Sequence, residues 1–247
     1  DSYNVAIGYD ALTTGTTGIE NTAVGSKSML ANTTGRNNAA FGAYSLDANT
    51  SGENNTAVGK SALGANTTGS GNTAVGLNAL DATIDGVNNV AIGINALSAD
   101  AVGENVAVGN SALLACTASN NTAIGSGAGK AVTSGSQNVF VGTNAGDAVI
   151  GGANHVAIGF NAMHSCTSSN GNTAVGQSAM ASCTTGADNT GIGQNALNAV
   201  TTSASNTALG NSAGAAITTG SENVCLGNRA GVGFTTGSQN NIMGDNA

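Results

Sequence analysis

The sequence is poor in charged residues and has no proline or tryptophan. Charged residues make up 7 % of the 247 positions and aromatic residues 3 %, whereas soluble globular domains typically carry roughly 25 % charged residues. Low charge combined with 40 % apolar residues argues against disorder, which needs high charge and low hydrophobicity. The lack of proline argues against a mucin-like stalk and fits a chain whose backbone N–H groups donate to neighbouring strands.

The shortage of basic residues also restricts the partners. Five Lys and Arg residues stand in a chain of net charge −8, too few to neutralise phosphates, so we expect no nucleic acid partner. No apolar run approaches the about 18 residues of a membrane span, so we expect no membrane insertion within this segment. The chain begins at Asp1 and stops early in a repeat at Ala247. We therefore expect a segment of a longer fibrous protein.

What the sequence does contain is a short repeat built on the pentapeptide Asn-Thr/Val-Ala-Val/Ile-Gly. Fifteen copies occur, separated by twelve intervals of 17 residues and two adjacent intervals of 16. We number the Asn of each repeat as position 1, so that the pentapeptide ends with Gly at position 5. These glycines are Gly8, Gly25, Gly42, Gly59, Gly76, Gly93, Gly109, Gly125, Gly142, Gly159, Gly176, Gly193, Gly210, Gly227 and Gly244.

The repeat predicts an all-β fold. Thr-Ala-Val before the glycine suits a short strand, Ser-Ala-Leu after it a second short strand, and Asn-Thr-Thr-Gly a bend. A unit this small buries its apolar side only by stacking on its copies. We therefore predict one domain over residues 1–247, a parallel β-solenoid of about fifteen 17-residue repeats. At ~4.8 Å per repeat, it would be about 70 Å long.

Stacking explains why one residue type dominates position 1. Residues at one position lie ~4.8 Å from their counterparts above and below, so like charges repel, whereas side-chain amides can bond to one another in a ladder. We predict such a ladder along position 1, where His155 replaces Asn once. Its members are Asn4, Asn21, Asn38, Asn55, Asn72, Asn89, Asn105, Asn121, Asn138, Asn172, Asn189, Asn206, Asn223 and Asn240.

The predicted core is thin for a single chain. In the repeat 55–71 we expect Ala57 and Ala62 at close-packed positions and Val58 and Leu63 as apolar fill. Small residues recur at the same places in the other repeats, with few phenylalanines among them. This thinness favours lateral association, most simply a symmetric homotrimer sharing a central core.

The pentapeptides Asn4–Gly8 and Asn89–Gly93 resemble the head repeats of trimeric autotransporter adhesins of the YadA type. The longer pattern, Asn-Thr-Ala-Val-Gly-x-x-Ala-Leu followed by Asn-Thr-Thr-Gly, is similar to repeats of phage tail-fibre-like proteins. The first resemblance implies a left-handed parallel β-roll, three chains packed side by side, and a head that binds host or matrix surfaces. The unit here is longer than the usual adhesin head repeat.

The sequence offers no constellation for catalysis, so we predict no enzyme and no cofactor. His155 and His164 are the only histidines. His155 is better explained as a replacement for Asn in the position-1 ladder than as half of a metal pair with His164. Zinc also needs three or four closely spaced ligands. Asp81 and Asp85 are best explained as solvated turn acids rather than the paired carboxylates of a glycosidase. The glycine string 125–129 imitates a phosphate loop, but no helix is expected after it.

The cysteines carry a more specific signal. Cys116, Cys166 and Cys183 share position 12, and the last two stand in consecutive repeats. Their Cα atoms should therefore lie about 5 Å apart, within disulfide reach. We predict a bridge between Cys166 and Cys183, with two stacked free thiols as the alternative. Cys225 replaces a small residue at position 3 and should be buried and inert.

Two further hypotheses concern the edge of the solenoid. Sequons occur at Asn32, Asn49, Asn54, Asn66 and Asn120, and they would carry N-glycans only in a eukaryotic secretory route. Regular threonine pairs at positions 13 and 14 raise the minor alternative of an ice-binding surface, although other residues interrupt them.

The leading hypothesis is an extracellular adhesin or tail-fibre-like module on a cell or virion surface. It would act as a rigid spacer and attachment rod, self-associating as a homotrimer and contacting a cell-surface or glycan receptor weakly and at many points. The alternative is a structural subunit of an extracellular filament or sheath that binds only its own copies.

Overall fold

The computed structural model describes residues 3–14 and 17–247 and divides the chain into two compact units, 1–121 and 122–247. The first unit contains β1 (Val5–Ile7), β2 (Thr22–Val24), β3 (Ala39–Phe41), β4 (Thr56–Val58), β5 (Thr73–Val75), β6 (Val90–Ile92) and β7 (Val106–Val108). The second contains β8 (Thr122–Ile124), β9 (Val139–Val141), β10 (Val156–Ile158), β11 (Thr173–Val175), β12 (Thr190–Ile192), β13 (Thr207–Leu209), β14 (Val224–Leu226) and β15 (Asn241–Met243). The described ranges contain no helix.

Within each unit every strand pairs in parallel with the strand of the next repeat. The pairing joins equal positions of the repeat: Ala57 opposes Ala74 in the first unit, and Ala157 opposes Ala174 in the second. This is the arrangement that stacking identical units requires, because a shift of one residue would turn the buried alanine to the outside. The predicted parallel β-solenoid with 17-residue spacing is confirmed.

Each repeat has one strand, not the two predicted. The Ser-Ala-Leu segment still bonds from repeat to repeat, as in the Leu63 N–H to Ala79 carbonyl bond of 3.0 Å. Its backbone, however, is not extended: Ser61 and Leu63 have φ of 57° and 53°. A left-handed residue costs about 1–2 kcal/mol, but full burial of a leucine side chain returns about 1.5–3 kcal/mol. Burial of the Leu63 side chain therefore offsets part of this cost, but it does not set the conformation, because Gly129 and Gly214 at the same position have φ of 59° as well.

The glycine at position 5 has two reasons to be glycine. At Gly59 φ is 134°, in the region that favours glycine. A Cβ atom there would also lie 2.4 Å from the carbonyl oxygen of Gly76 in the next repeat. The strand therefore ends at a backbone-to-backbone contact that leaves no space for any side chain.

The interior is filled jointly by positions 3 and 9. Most repeats pair an alanine at position 3 with a leucine or methionine at position 9, and from Ala23 and Met29 onward these pairs are buried. The repeat with Phe140 at position 3 has Gly146 at position 9, where a Cβ atom would lie 2.2 Å from the phenyl Cε1. Conversely, Gly191 at position 3 faces Met180, whose Cγ would be 3.2 Å from an added Cβ. A large residue at one position thus occupies space that a side chain at the other fills in most repeats, within one repeat or from the next, although Ala123 with Gly129 and Ala208 with Gly214 are small at both positions.

The two 16-residue repeats of the first unit are one residue shorter in their loops, and their strands are unchanged. There Val87 pairs with Gly103, and Gly103 with Ser119, as isolated parallel bridges. The strands keep their register, since Ala91 still opposes Ala107. The change leaves the side-chain nitrogen of Asn89 buried without a hydrogen-bond partner, a cost of about 1–3 kcal/mol.

Candidate interaction face

The outward face of the strands carries a column of apolar side chains at position 4. In a three-residue strand the middle side chain points opposite to its two neighbours, so when alanine at position 3 faces inward, position 4 faces out. All fifteen position-4 residues are apolar, and Ile92 and Ile124 are 40 % and 43 % exposed. We call these fifteen residues the position-4 stripe: Ile7, Val24, Phe41, Val58, Val75, Ile92, Val108, Ile124, Val141, Ile158, Val175, Ile192, Leu209, Leu226 and Met243.

The surroundings of the stripe are almost free of charge. Position 2 is mainly threonine or valine, and across positions 2, 4 and 6 of all fifteen repeats the only charged residues are Lys60 and Asp245. Position 6 adds exposed Leu77 and Ile94 in the first unit and Phe160 in the second. The face can therefore approach another copy without placing like charges opposite each other.

This orientation corrects part of the sequence interpretation. Val58 was expected to fill the core with Leu63, but Leu63 is buried and Val58 is 38 % exposed. Of the rare phenylalanines, Phe140 lies in the core, whereas Phe41 and Phe160 are exposed. The strand alternation alone, applied to three residues with alanine in the middle, could have revealed this face.

The asparagines of position 1 form a column inside the solenoid. The main link runs from a backbone N–H to the preceding side chain, as from Asn55 N to Asn38 Oδ1 at 2.9 Å. Each side-chain nitrogen usually donates to the glycine carbonyl 14 residues on, as from Asn55 to Gly69 at 2.9 Å. Some pairs add a direct amide-to-amide bond, such as Asn223 Nδ2 to Asn206 Oδ1 at 2.9 Å.

A second amide ladder, which the sequence interpretation missed, occupies position 12 in three consecutive repeats. Asn49 Nδ2 donates to Asn32 Oδ1 at 2.8 Å, and Asn66 Nδ2 to Asn49 Oδ1 at 3.0 Å. All three side chains are fully buried, which excludes them as glycan acceptors in the folded chain. Among the sequons, Asn54 and Asn120 are exposed. The recurrence of Asn at one position in neighbouring repeats was the available signal.

The two histidines have separate surroundings. His155 is buried in the position-1 column, where its Nδ1 accepts the Asn172 N–H at 3.2 Å and its Nε2 lies 2.8 Å from the Ser169 carbonyl. Burial lowers the pKa of His155, and these two backbone bonds oppose the shift. His164 is exposed and lies 2.7 Å from Asp147 through Nδ1. Both nitrogens of His155 are thus engaged by backbone, which argues against a metal pair with His164.

The four cysteines are free, buried thiols in this structure. The bridge between Cys166 and Cys183 stays a prediction, with two stacked free thiols as its alternative. The neighbouring Cys183 thiol lowers the pKa of Cys166 to about 7, and Cys166 together with burial raises the pKa of Cys183. Burial raises the pKa of Cys225, in keeping with an inert thiol.

The remaining candidate sites show no catalytic arrangement. Asp81 is half-buried, and burial raises its pKa, whereas Asp85 is exposed. In the described residues no three His, Cys, Asp or Glu side chains come together as metal ligands. The glycine string 125–129 runs into a bend of the solenoid, not into a helix.

The threonines at position 13 are used internally. Thr50 Oγ1 donates to the Thr67 carbonyl at 3.0 Å, and Thr184 Oγ1 to the Thr201 carbonyl at 3.0 Å. Their hydroxyl hydrogens point to the next repeat and not to the solvent, which weighs against a two-column ice-binding array.

No family model, curated protein or solved structure matches this chain. A search of the described residues for a helix long and apolar enough to cross a membrane also found none.

Proposed function

We propose that this chain is a self-associating spacer module of an extracellular fibre, of the adhesin or tail-fibre kind, and that its copies pack side by side through the position-4 stripe. The observation that carries the proposal is the stripe itself, which is an apolar column along each of the two units on a face with almost no charge. Single exposed apolar residues are ordinary, but a continuous column of them is typical of an interaction surface.

A second copy of the chain is the partner that fits this face best. Apolar side chains recur once per repeat, at ~4.8 Å, and a copy of the same solenoid offers the same period. A closed symmetric arrangement buries the stripe of every copy and leaves none exposed. The homotrimer and the left-handed coil are the forms that the resemblance to adhesin heads implies.

The energetics set a requirement on such an interface. Burying the exposed remainder of one position-4 side chain contributes roughly 0.5–1 kcal/mol, so fifteen repeats supply roughly 8–15 kcal/mol. Association costs about 4–15 kcal/mol in lost freedom. Position 4 alone would therefore give weak association, and positions 2 and 6 must also be buried in a stable assembly.

Sedimentation equilibrium tests the proposal directly. We expect three times the chain mass of 23.5 kDa for the wild type. Val58→Lys combined with Ile92→Lys should give the monomer mass, because both changes place a charge on the stripe in alternate repeats. The matched control, Thr34→Lys with Thr68→Lys, places the same charges at the same spacing on exposed loop positions and should remain trimeric.

The other possible masses, and a binding test of the assembled protein, distinguish the alternatives. A monomeric wild type would refute self-association, and a trimer that survives both stripe substitutions would refute this face as its interface. A mass that grows beyond three chains with concentration would favour the filament or sheath subunit. Attachment of the trimer to cells or to immobilised glycans would support the adhesin, and its failure would leave a purely structural spacer.

A further inference from the structure

The position-12 cysteines Cys166 and Cys183 lie in consecutive repeats of the second unit, held in register on both sides. Before them, Val156 opposes Thr173, and directly after them the Thr167 N–H donates to the Thr184 carbonyl at 2.9 Å. Parallel strands in register are ~4.8 Å apart, and disulfides span Cα separations of about 4.4–6.8 Å. The backbone therefore needs little movement to accept a bond between these sulfurs.

The polar groups around the two thiols are arranged asymmetrically. Asn172 Nδ2 uses its two hydrogens on the Ser169 hydroxyl oxygen, at 2.9 Å, and the Gly186 carbonyl, at 2.7 Å. The Ser169 hydroxyl thus accepts one bond and has its own hydrogen to donate. Its oxygen lies 2.9 Å from Cys166 Sγ, and an O–H group is a stronger donor than a thiol. Cys166 is consequently the sulfur that accepts hydrogen bonds.

Cys183 has the opposite environment. Its sulfur lies 3.4 Å from the Gly186 carbonyl oxygen, to which a thiol can donate but against which a thiolate would be repelled. The other group that the Cys183 thiol can donate to is the sulfur of Cys166. The pKa of Cys166 is lowered to about 7 and that of Cys183 is raised, in agreement with these contacts. Negative charge is therefore favoured on one sulfur of the pair only.

We propose that Cys166 and Cys183 form a two-thiol oxidation site, in which hydrogen peroxide oxidises Cys166 and Cys183 then closes a disulfide between neighbouring repeats. In the first step the Cys166 thiolate attacks one peroxide oxygen: the S–O bond forms, the O–O bond breaks, and the released hydroxide takes up a proton to give water. In the second step the Cys183 sulfur attacks the sulfenic sulfur. The S–S bond forms, the S–O bond breaks, and the thiol proton leaves with the hydroxyl group as a second water.

Cys116 provides a control inside the same molecule. It occupies position 12 as well and is fully buried, but its neighbours at position 12 are not cysteines. Burial raises the pKa of Cys116, so at neutral pH its thiolate fraction is far below that of Cys166. Burial alone should affect Cys116 and Cys166 equally. A difference between their oxidation rates would therefore report the effect of the neighbouring Cys183.

The experiment treats the folded full chain with hydrogen peroxide at pH 7, blocks the remaining thiols, and maps the cysteine peptides by mass spectrometry. We expect the Cys166–Cys183 peptide pair, two hydrogens lighter, to form at least about ten-fold faster than Cys116 is oxidised. In Cys183→Ser a sulfenic acid should accumulate on Cys166 and be captured by dimedone. In Cys166→Ser we expect Cys183 to stay reduced.

The outcomes are decisive without the variants if either of these should fold poorly. Equal oxidation rates of Cys116 and Cys166 in the wild type would overturn the proposal. It would also be overturned if the folded wild type gave no linked peptide within the time that the peroxide needs to oxidise all thiols of the unfolded chain. Sulfenic acid appearing first on Cys183 would reverse the assigned roles and refute the polarity argument. The proposal does not rest on self-association, because both sulfurs lie inside one solenoid.

Discussion

Replacement of Gly146 by leucine, the commonest residue at position 9, should destabilise the protein although leucine suits most other repeats. A Cβ at Gly146 would lie 2.2 and 2.3 Å from two carbon atoms of the Phe140 ring. Overpacking of this kind costs typically about 1–3 kcal/mol, and the left-handed backbone, with φ of 61°, adds about 1–2 kcal/mol for a residue other than glycine. We expect Gly146→Leu to cost about 2–5 kcal/mol in the free energy of unfolding.

The partner substitution, Phe140→Ala, should cost about 3–5 kcal/mol, because it empties a fully buried ring site. Together, however, the two changes rebuild the alanine and leucine combination seen at Ala57 and Leu63. The double variant should therefore lie within about 2 kcal/mol of the wild type, well short of the sum of the single costs. Double-mutant cycles measure this difference as a coupling energy.

Urea unfolding followed by circular dichroism provides the four free energies. Met163→Gly is the matched control, since it introduces glycine at position 9 beside an alanine, Ala157, and should be destabilising because it leaves a cavity. Additivity of Phe140→Ala and Gly146→Leu within about 0.5 kcal/mol would show that positions 3 and 9 do not share one space, and would refute the packing rule.

Two other substitutions test the backbone and the interior column. Gly176→Ala should cost at least about 2 kcal/mol, because its Cβ would lie 2.5 Å from the Gly193 carbonyl oxygen, whereas Gly233→Ala, with nothing within 4 Å, should be nearly neutral; equal thermal midpoints would contradict this. Burial lowers the pKa of His155 below 6.5 in the folded chain. The unfolded chain therefore takes up a proton at a higher pH than the folded chain does. The contribution of neutral His155 to stability is complete above pH 6.5 and is lost as the pH falls through the lowered pKa. His155→Asn should remove this pH-dependent part of the stability. The measurement is the fall of the unfolding midpoint between pH 8 and pH 5.5, and an equal fall in the wild type and the variant would contradict the role given to His155.

The repeat period was enough to predict the solenoid and its parallel register, because identical units can share hydrogen bonds only at equal positions. It also placed Cys166 and Cys183 next to each other. The period does not specify backbone conformation within the unit, so residue type predicts a strand for the Ser-Ala-Leu segment, whereas Leu63 has a left-handed backbone. Leucine and glycine at position 9 share this conformation and the same bond to the next repeat, as Leu63 N–H to the Ala79 carbonyl and Gly146 N–H to the Ala162 carbonyl show. Stacking is a tertiary effect that local propensity does not contain.

The candidate interaction face was less well predicted. Val58 looked like core because it is apolar, yet the strand alternation turns it outward when Ala57 points inward. Asn32, Asn49 and Asn66 resemble surface sequons because each begins an Asn-Thr-Ser/Thr segment of turn-forming residues. In the stacked structure their amides bond to one another in the interior instead. In both cases residue type suggested one location and the geometry of stacking imposed the other.

The two 16-residue repeats have a practical consequence for protein engineering. They show that loop length can change while the strands keep their register, as the pairing of Val90 with Val106 demonstrates. Each strand depends on its neighbours and not on the length of the connection between them. We therefore expect a short peptide grafted into a loop of this segment to leave the register of the strands unchanged.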